Sequence, residues 1–168
     1  YPPMYPFLAS FVYKNNNKKI SYENIRILNV IFFSLTFFPL YQLVKRIFKN
    51  SLTNRLVLSF AIMILPWSSL ISPIWAEPLY FLFFTTTFLS VYLSFELESC
   101  WIFVLTGTLI GLTFLTKQVG LIIGIAFYFT QLVKCYQSPN RKTQIINLIA
   151  SILPLFLVIL AYKLLNTS

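Results

Sequence analysis

Six stretches of this chain carry no charged residue and approach the length needed to cross a bilayer. A membrane-spanning helix needs about 20 mostly apolar residues, because the hydrocarbon core is about 30 Å thick. The runs are continuous and do not alternate between apolar and polar residues, so they indicate helices rather than the strands of a barrel. We therefore predict six spans, at about Ile27–Val44, Leu56–Ile71, Leu79–Phe95, Trp101–Thr116, Val119–Val133 and Ile145–Tyr162.

The composition also indicates an integral membrane protein. Hydrophobic residues make up 58% of the 168 residues and charged residues only 10%, whereas a soluble domain carries roughly a quarter of charged residues. Aspartate and histidine are absent, which removes most metal-site and catalytic-triad chemistry, so we expect no metal and no cofactor. We predict an all-α, polytopic membrane helix bundle that forms a single membrane domain over residues 1–168.

The net charge of +9 raises the question of an anionic partner. The basic residues fall in short bands between the apolar runs, a pattern that favours lipid headgroups over nucleic acid. Two of these bands, at 45–55 and 134–142, fall on the same side of the six-span topology and hold seven Lys and Arg, against six on the other side. The positive-inside rule then places these loops, with Cys100 and Cys135 as reduced thiols, on the cytoplasmic side, and Glu77 and Lys117 on the external side.

The residues before the first span have a different character. Tyr1–Tyr13 is rich in aromatic residues and proline, and it is too short and too broken to span a membrane. Because Tyr is enriched at membrane interfaces, we predict an interfacial segment here. The chain begins with Tyr1 rather than Met, so we expect an N-terminally truncated piece of a longer protein. In this interpretation 1–24 is the remnant of an external loop and 25–165 is the transmembrane bundle.

Glu77 lies between two apolar runs in the stretch SPIWAEPL at 72–79. Pro73 and Pro78 cannot continue a helix but fit a turn or a first helical turn, so we predict a tight turn at the membrane surface. Glu77 would then start the next helix, where the helix dipole favours a negative charge. One interpretation is a helix-start carboxylate without chemistry. The other is a functional carboxylate, since ionisable groups at this depth are rare and usually functional.

Three further polar residues are candidates for binding. Lys117 separates two apolar runs on the same predicted side as Glu77, where it could either extend to the lipid headgroups or bind a phosphate. Arg26 and Asn29 lie at the outer end of the first span, with Asn29 one turn deeper on the same predicted helix face. The pairs Gly107/Gly111 and Gly120/Gly124 have the spacing of close helix packing.

Four motifs occur in the order found in membrane glycosyltransferases of the GT-C class: YPPMYP at 1–6, RILNVIFFSL at 26–35, IWAEPLYFLFF at 74–84 and GTLIGLTFLTKQVG at 107–120. The chain most resembles the group that contains the dolichyl-phosphate-mannose protein mannosyltransferases and the lipid A aminoarabinose transferase. The resemblance covers Tyr1 to about Val133. Ala76 replaces the usual Ser, and Lys117 replaces the usual Arg, which keeps the charge but loses the bidentate fork.

The resemblance implies that a sugar moves from a polyprenyl-phosphate donor to an acceptor hydroxyl, on a glycan, lipid or protein, at the external face. It implies a supporting carboxylate at Glu77 and places the main catalytic base upstream of Tyr1. It also implies that substrate is bound by Lys117, Arg26, Asn29, Tyr1, Pro2 and Pro3.

Two alternatives to this enzyme remain open. A transporter or non-catalytic helix bundle also uses membrane carboxylates, although no inverted repeat is visible between the two halves of the chain. An inactive scaffold that lacks the catalytic base is the other alternative.

Overall fold

The computed structural model describes residues 4–12, 18–48, 51–64 and 77–166. No strand occurs in these ranges, and the predicted all-α fold is confirmed. The described helices are α1 (Met4–Val12), α2 (Lys18–Leu35), α3 (Phe37–Ile47), α4 (Leu52–Ile64), α5 (Glu77–Leu97), α6 (Cys100–Thr116), α7 (Leu121–Gln137) and α8 (Arg141–Asn166), with a 3-10 turn (Gln118–Gly120) before α7.

Four helical segments of the described chain are long and apolar enough to cross a membrane: Tyr22–Ile47, Glu77–Leu97, Gln118–Gln137 and Arg141–Leu164. They contain the first, third, fifth and sixth predicted spans, which makes this an integral membrane protein. The fourth predicted span forms α6, an apolar helix of 17 residues. The second predicted span begins in α4, and its residues 65–71 lie outside the described ranges.

The first span is interrupted one turn before Pro39. The proline ring clashes with the carbonyl four residues earlier, which belongs to Leu35, so α2 ends there. Thr36 bridges the break. Its backbone N–H is shared between the carbonyls of Phe32 and Phe33, both at 3.2 Å, and its hydroxyl donates to the Phe32 carbonyl at 2.9 Å.

The described helices divide into two compact units, of which the first runs from α1 to Leu89 in α5. Its core contains Tyr5, Ile25 and Leu79, which come from α1, α2 and α5. The Tyr5 hydroxyl bonds to Asn29, and the Asn24 side-chain amide donates to the Val12 carbonyl at 3.3 Å. These two contacts show that α1 runs antiparallel to the first half of α2.

The second unit runs from Ser90 to the end of α8 and has a core of Phe103, Ile110 and Phe127. Its closest helix approach lies between α6 and α8, where a Cβ on Gly107 would collide with the Ser151 carbonyl oxygen. The predicted packing role of Gly107 is therefore confirmed, since only glycine fits this crossing.

The α5–α6 turn lies next to the last turn of α7. The contact is between Lys134 Nζ and Glu98 Oε1, which are 3.5 Å apart. The two connections α5–α6 and α7–α8 thus lie at the same end of the unit, in agreement with the predicted topology.

Candidate functional site

A buried hydrogen bond joins α1 to α2 in the first unit. The Tyr5 hydroxyl donates to Asn29 Oδ1 at 3.0 Å. The two side chains are 5% and 1% exposed, so solvent hardly competes for this bond. Because 24 residues separate the partners along the chain, the bond fixes the interfacial helix α1 against the membrane-length segment that follows it.

Glu77 begins α5, with Pro78 in the first turn, as the sequence predicted. Its side chain is only partly buried, whereas Leu79, two residues later, is 1% exposed and packs in the core with Tyr5 and Ile25. The start of α5 is thereby held next to the Tyr5–Asn29 pair. One polar cluster next to this apolar core therefore contains the Tyr5 phenol, the Asn29 amide and the Glu77 carboxylate. These groups come from three segments that are far apart in sequence.

The electrostatics of this cluster keep the phenol neutral. Burial raises the pKa of the Tyr5 phenol, the hydrogen bond with Asn29 lowers it, and the negative charge of Glu77 raises it again. The net shift is upward, so Tyr5 stays protonated at neutral pH and remains a hydrogen-bond donor. The protonated phenol contributes its full stability below a pH of about 10, and this contribution is lost as the pH rises through the raised pKa.

Chemically, this cluster can orient a ligand that carries hydroxyl groups. A carboxylate accepts hydrogen bonds from hydroxyls, and the Glu77 carboxylate, unlike the buried Tyr5 and Asn29 side chains, is partly exposed. No group of three or more His, Cys, Asp or Glu side chains that could hold a metal ion occurs in the described part of the chain. The cluster is therefore suited to binding and orienting through hydrogen bonds and charge.

Arg26 lies in a different environment from Asn29, although the two are one turn apart on α2. Arg26 is exposed and Asn29 is buried. Arg26 lines a groove of about 430 Å³ along the exposed face of α2. The groove combines an acidic and a basic side chain with three aliphatic ones, and its lining residues are Glu23, Arg26, Ile27, Val30 and Ile31.

Lys117 belongs to the second unit, where it follows the last residue of α6. Its backbone is extended, with φ −156°; its N–H donates to the Thr113 carbonyl at 2.9 Å and its carbonyl accepts from Gly120 at 2.8 Å. These bonds end one helix and start the next, so a partly buried cation lies at the junction of two apolar helices. This is the location that the sequence predicted for it.

The remaining sequence candidates, Tyr1, Pro2 and Pro3, lie outside the described residues, as do Pro73 and Ala76. Sequence reasoning missed Tyr5 as a site residue. The available signal was the spacing of Tyr5, Leu8 and Val12, which marks one face of a short helix. It also missed Glu23, which shares the groove with Arg26.

Comparison with known protein families shows to which family the chain belongs. A family profile described as dolichyl-phosphate-mannose-protein mannosyltransferase matches residues 1–162. The chain belongs to this family. No curated protein and no solved structure matches the chain significantly.

Membership in the mannosyltransferase family confirms the resemblance stated from the four motifs and extends it beyond Val133 into α8. It identifies the protein as a membrane glycosyltransferase in general terms and implies a lipid-linked sugar donor. All the candidate residues, including Tyr5, Asn29, Glu77 and Lys117, lie inside the matched region.

We expect Tyr5→Phe to destabilise this mannosyltransferase-family protein by about 1 kcal/mol, because the change removes one buried hydrogen bond and keeps the ring. The measurement is thermal unfolding of the detergent-solubilised protein at neutral pH. Tyr22→Phe is the matched control, since Tyr22 lies on α2 with its side chain 39% exposed. Equal unfolding midpoints for the two variants would show that the Tyr5–Asn29 bond does not hold α1 in place.

Proposed function

We propose that this chain is part of a multi-pass membrane glycosyltransferase that moves a sugar from a polyprenyl-phosphate donor to an acceptor hydroxyl at the external face of the membrane. The observation that carries the proposal is the position of Glu77 at the start of α5, beside the buried Tyr5–Asn29 pair. Family membership supplies the reaction class. In a bacterium the protein would lie in the plasma membrane.

The reaction exchanges one bond for another at the anomeric carbon of the sugar. The acceptor oxygen forms a bond to this carbon while the bond to the lipid phosphate oxygen breaks, and the phosphate leaves with the electron pair. A carboxylate takes the proton of the acceptor hydroxyl. Cations near the departing phosphate stabilise the charge that it gains.

In this scheme Glu77 orients the acceptor, and Tyr5 and Asn29 hold Glu77 and the acceptor side of the site in position. Glu77 lies at the N-terminus of α5, where the helix dipole attracts negative charge, and its carboxylate oxygens accept hydrogen bonds. We expect the main base in a segment before the YPPMYP motif, since the resemblance to the family implies a catalytic carboxylate there. Residues 1–168 would then form one membrane domain of a longer enzyme.

Each unit offers one cationic candidate, and each is considered by itself. The groove along α2 combines Arg26 with the aliphatic side chains of Ile27, Val30 and Ile31, a combination that suits an amphiphilic ligand. Lys117 provides a cation where two apolar helices meet. We propose that Lys117 binds the lipid phosphate.

Glu77→Gln should lower turnover by roughly tenfold or more, which corresponds to about 1.4 kcal/mol or more in the activation barrier. The change removes the charge and keeps the size, so the folded amount of protein should remain nearly normal. The measurement is sugar transfer from a polyprenyl-phosphate sugar by the full-length protein in detergent. Glu96→Gln, an exposed position on the same helix, is the control and should transfer sugar normally.

A well-folded Glu77→Gln variant with normal turnover would reduce Glu77 to a helix-start carboxylate. In that case the only effect of the change would be a loss of about 0.3–1 kcal/mol in stability from the helix dipole.

Lys117→Arg should keep or raise activity and Lys117→Ala should lose it, because the proposed role needs a cation that reaches the phosphate. Lys142→Ala, at an exposed position in the first turn of α8 and in the basic band predicted to be cytoplasmic, is the control and should have little effect. Transfer rates at saturating acceptor and varied donor would separate weaker donor binding from slower chemistry. If the Ala variant transferred sugar as fast as the unmodified protein, Lys117 would only extend to the lipid headgroups.

A further inference from the structure

A side-chain amide is completely buried in the second unit. Gln131 on α7 is 0% exposed and lies one turn after the buried Phe127 and one turn before Lys134. In the described part of the chain neither Oε1 nor Nε2 of Gln131 has a hydrogen-bond partner. An unpaired amide in apolar surroundings is costly, so a partner for it is expected.

A second amide close by is only half satisfied. Gln144 on α8 is 4% exposed; its Nε2 donates to Glu98 Oε1 at 3.4 Å, and its Oε1 also lacks a partner among the described residues. Asn147 Nδ2 donates to the Glu98 backbone carbonyl at 3.4 Å, and Lys134 Nζ lies 3.5 Å from Glu98 Oε1. These contacts are long compared with about 2.9 Å for a typical N–H···O bond. The polar groups around Glu98 are therefore loosely packed.

The register of α7 and α8 places the two amides near each other. The Tyr128 hydroxyl donates to the Ser151 carbonyl at 3.0 Å, and the two helices are antiparallel neighbours. Gln131 lies about one turn after Tyr128 on α7, and Asn147 lies about one turn before Ser151 on α8. Gln144 follows less than one further turn along α8, which is about 5 Å along the helix axis.

We propose that water binds in this amide cluster, made of Gln131, Gln144, Asn147, Glu98 and Lys134, and bridges Gln131 of α7 to Gln144 of α8. A buried water makes about three hydrogen bonds. The unpaired atoms provide one nitrogen donor and two oxygen acceptors, which is a set that one or two waters satisfy. Because these atoms are fully buried, the ligand must be small. A metal ion is disfavoured, since the Lys134 ammonium already neutralises the Glu98 carboxylate.

The bound water would join α7 to α8 beside the α5–α6 turn, which Gln144, Asn147 and Lys134 contact directly through Glu98. Glu98 has a φ of 49°, in the left-handed region that a non-glycine residue adopts only when its surroundings hold it there. The Glu98 carboxylate accepts a hydrogen bond from Gln144, and the Glu98 backbone carbonyl accepts one from Asn147. These two bonds would hold the turn in this conformation. This role is separate from sugar transfer, and it does not depend on the proposed function.

The first test is a double-substitution cycle in the full-length protein. Gln131→Met and Gln144→Met remove the polar atoms and nearly keep the side-chain volume. Each change should lower the midpoint of thermal unfolding, and the double change should lower it by less than the sum, since both amides bind the same water. Gln137→Met, at an exposed position on α7, is the control and should change nothing. A Gln131→Met protein with an unchanged or higher midpoint would contradict the proposal, because an unsatisfied buried amide is better replaced by an apolar group.

The second test looks for the water directly in the unmodified protein. With ¹⁵N-labelled glutamine, the Gln131 side-chain amide should show a nuclear Overhauser contact with a long-lived water, while the exposed Gln137 amide should exchange with bulk solvent. A coupled cycle without any water contact at Gln131 would mean that the two amides bond to each other, which would overturn the water bridge.

Discussion

Hydrocarbon offers no hydrogen-bond partners, so each polar group that these helices bury must find one inside the protein. Most of the buried hydroxyls find a hydrogen-bond partner within their own helix. Those of Thr85, Thr106 and Thr113 donate to the carbonyl four residues earlier at 2.7–2.9 Å. Such bonds stabilise the side chain but carry no information about how helices pack. The packing of one helix against another depends on buried polar groups that do not bond within their own helix. Tyr5, Asn29 and Gln131 are the clearest examples.

This constraint explains where the candidate site forms. The Tyr5–Asn29 bond fixes α1 on α2, and the apolar contact of Tyr5, Ile25 and Leu79 brings the start of α5 to the same place. Glu77 then has a defined position with one side toward a buried, neutral phenol. A site made this way is preorganised, because the apolar core and one buried bond orient it before any ligand arrives. The same constraint in the second unit produces the amide cluster around Glu98.

The sequence predicted the helices well, because uncharged stretches and the prolines that end them are local features. Glu77 was correctly placed at a helix start, since Pro78 is compatible only with the first turn of α5. The break in the first span falls at Thr36 rather than at Pro39, because the proline ring clashes with the carbonyl four residues earlier. Tyr5 was missed because its partner Asn29 lies 24 residues away, and Gln131 was missed because its complete burial depends on how the helices pack, which helical periodicity does not reveal.

The central claim is that this member of the mannosyltransferase family uses a lipid-linked sugar, and one experiment tests it most directly. Full-length protein reconstituted in nanodiscs is given the same radiolabelled sugar either on a polyprenyl phosphate or on a nucleoside diphosphate, together with a mixed acceptor extract from the native membrane. The account predicts transfer from the polyprenyl phosphate and none from the nucleotide sugar. Transfer from the nucleotide sugar, or no transfer from either donor by folded protein, would contradict it.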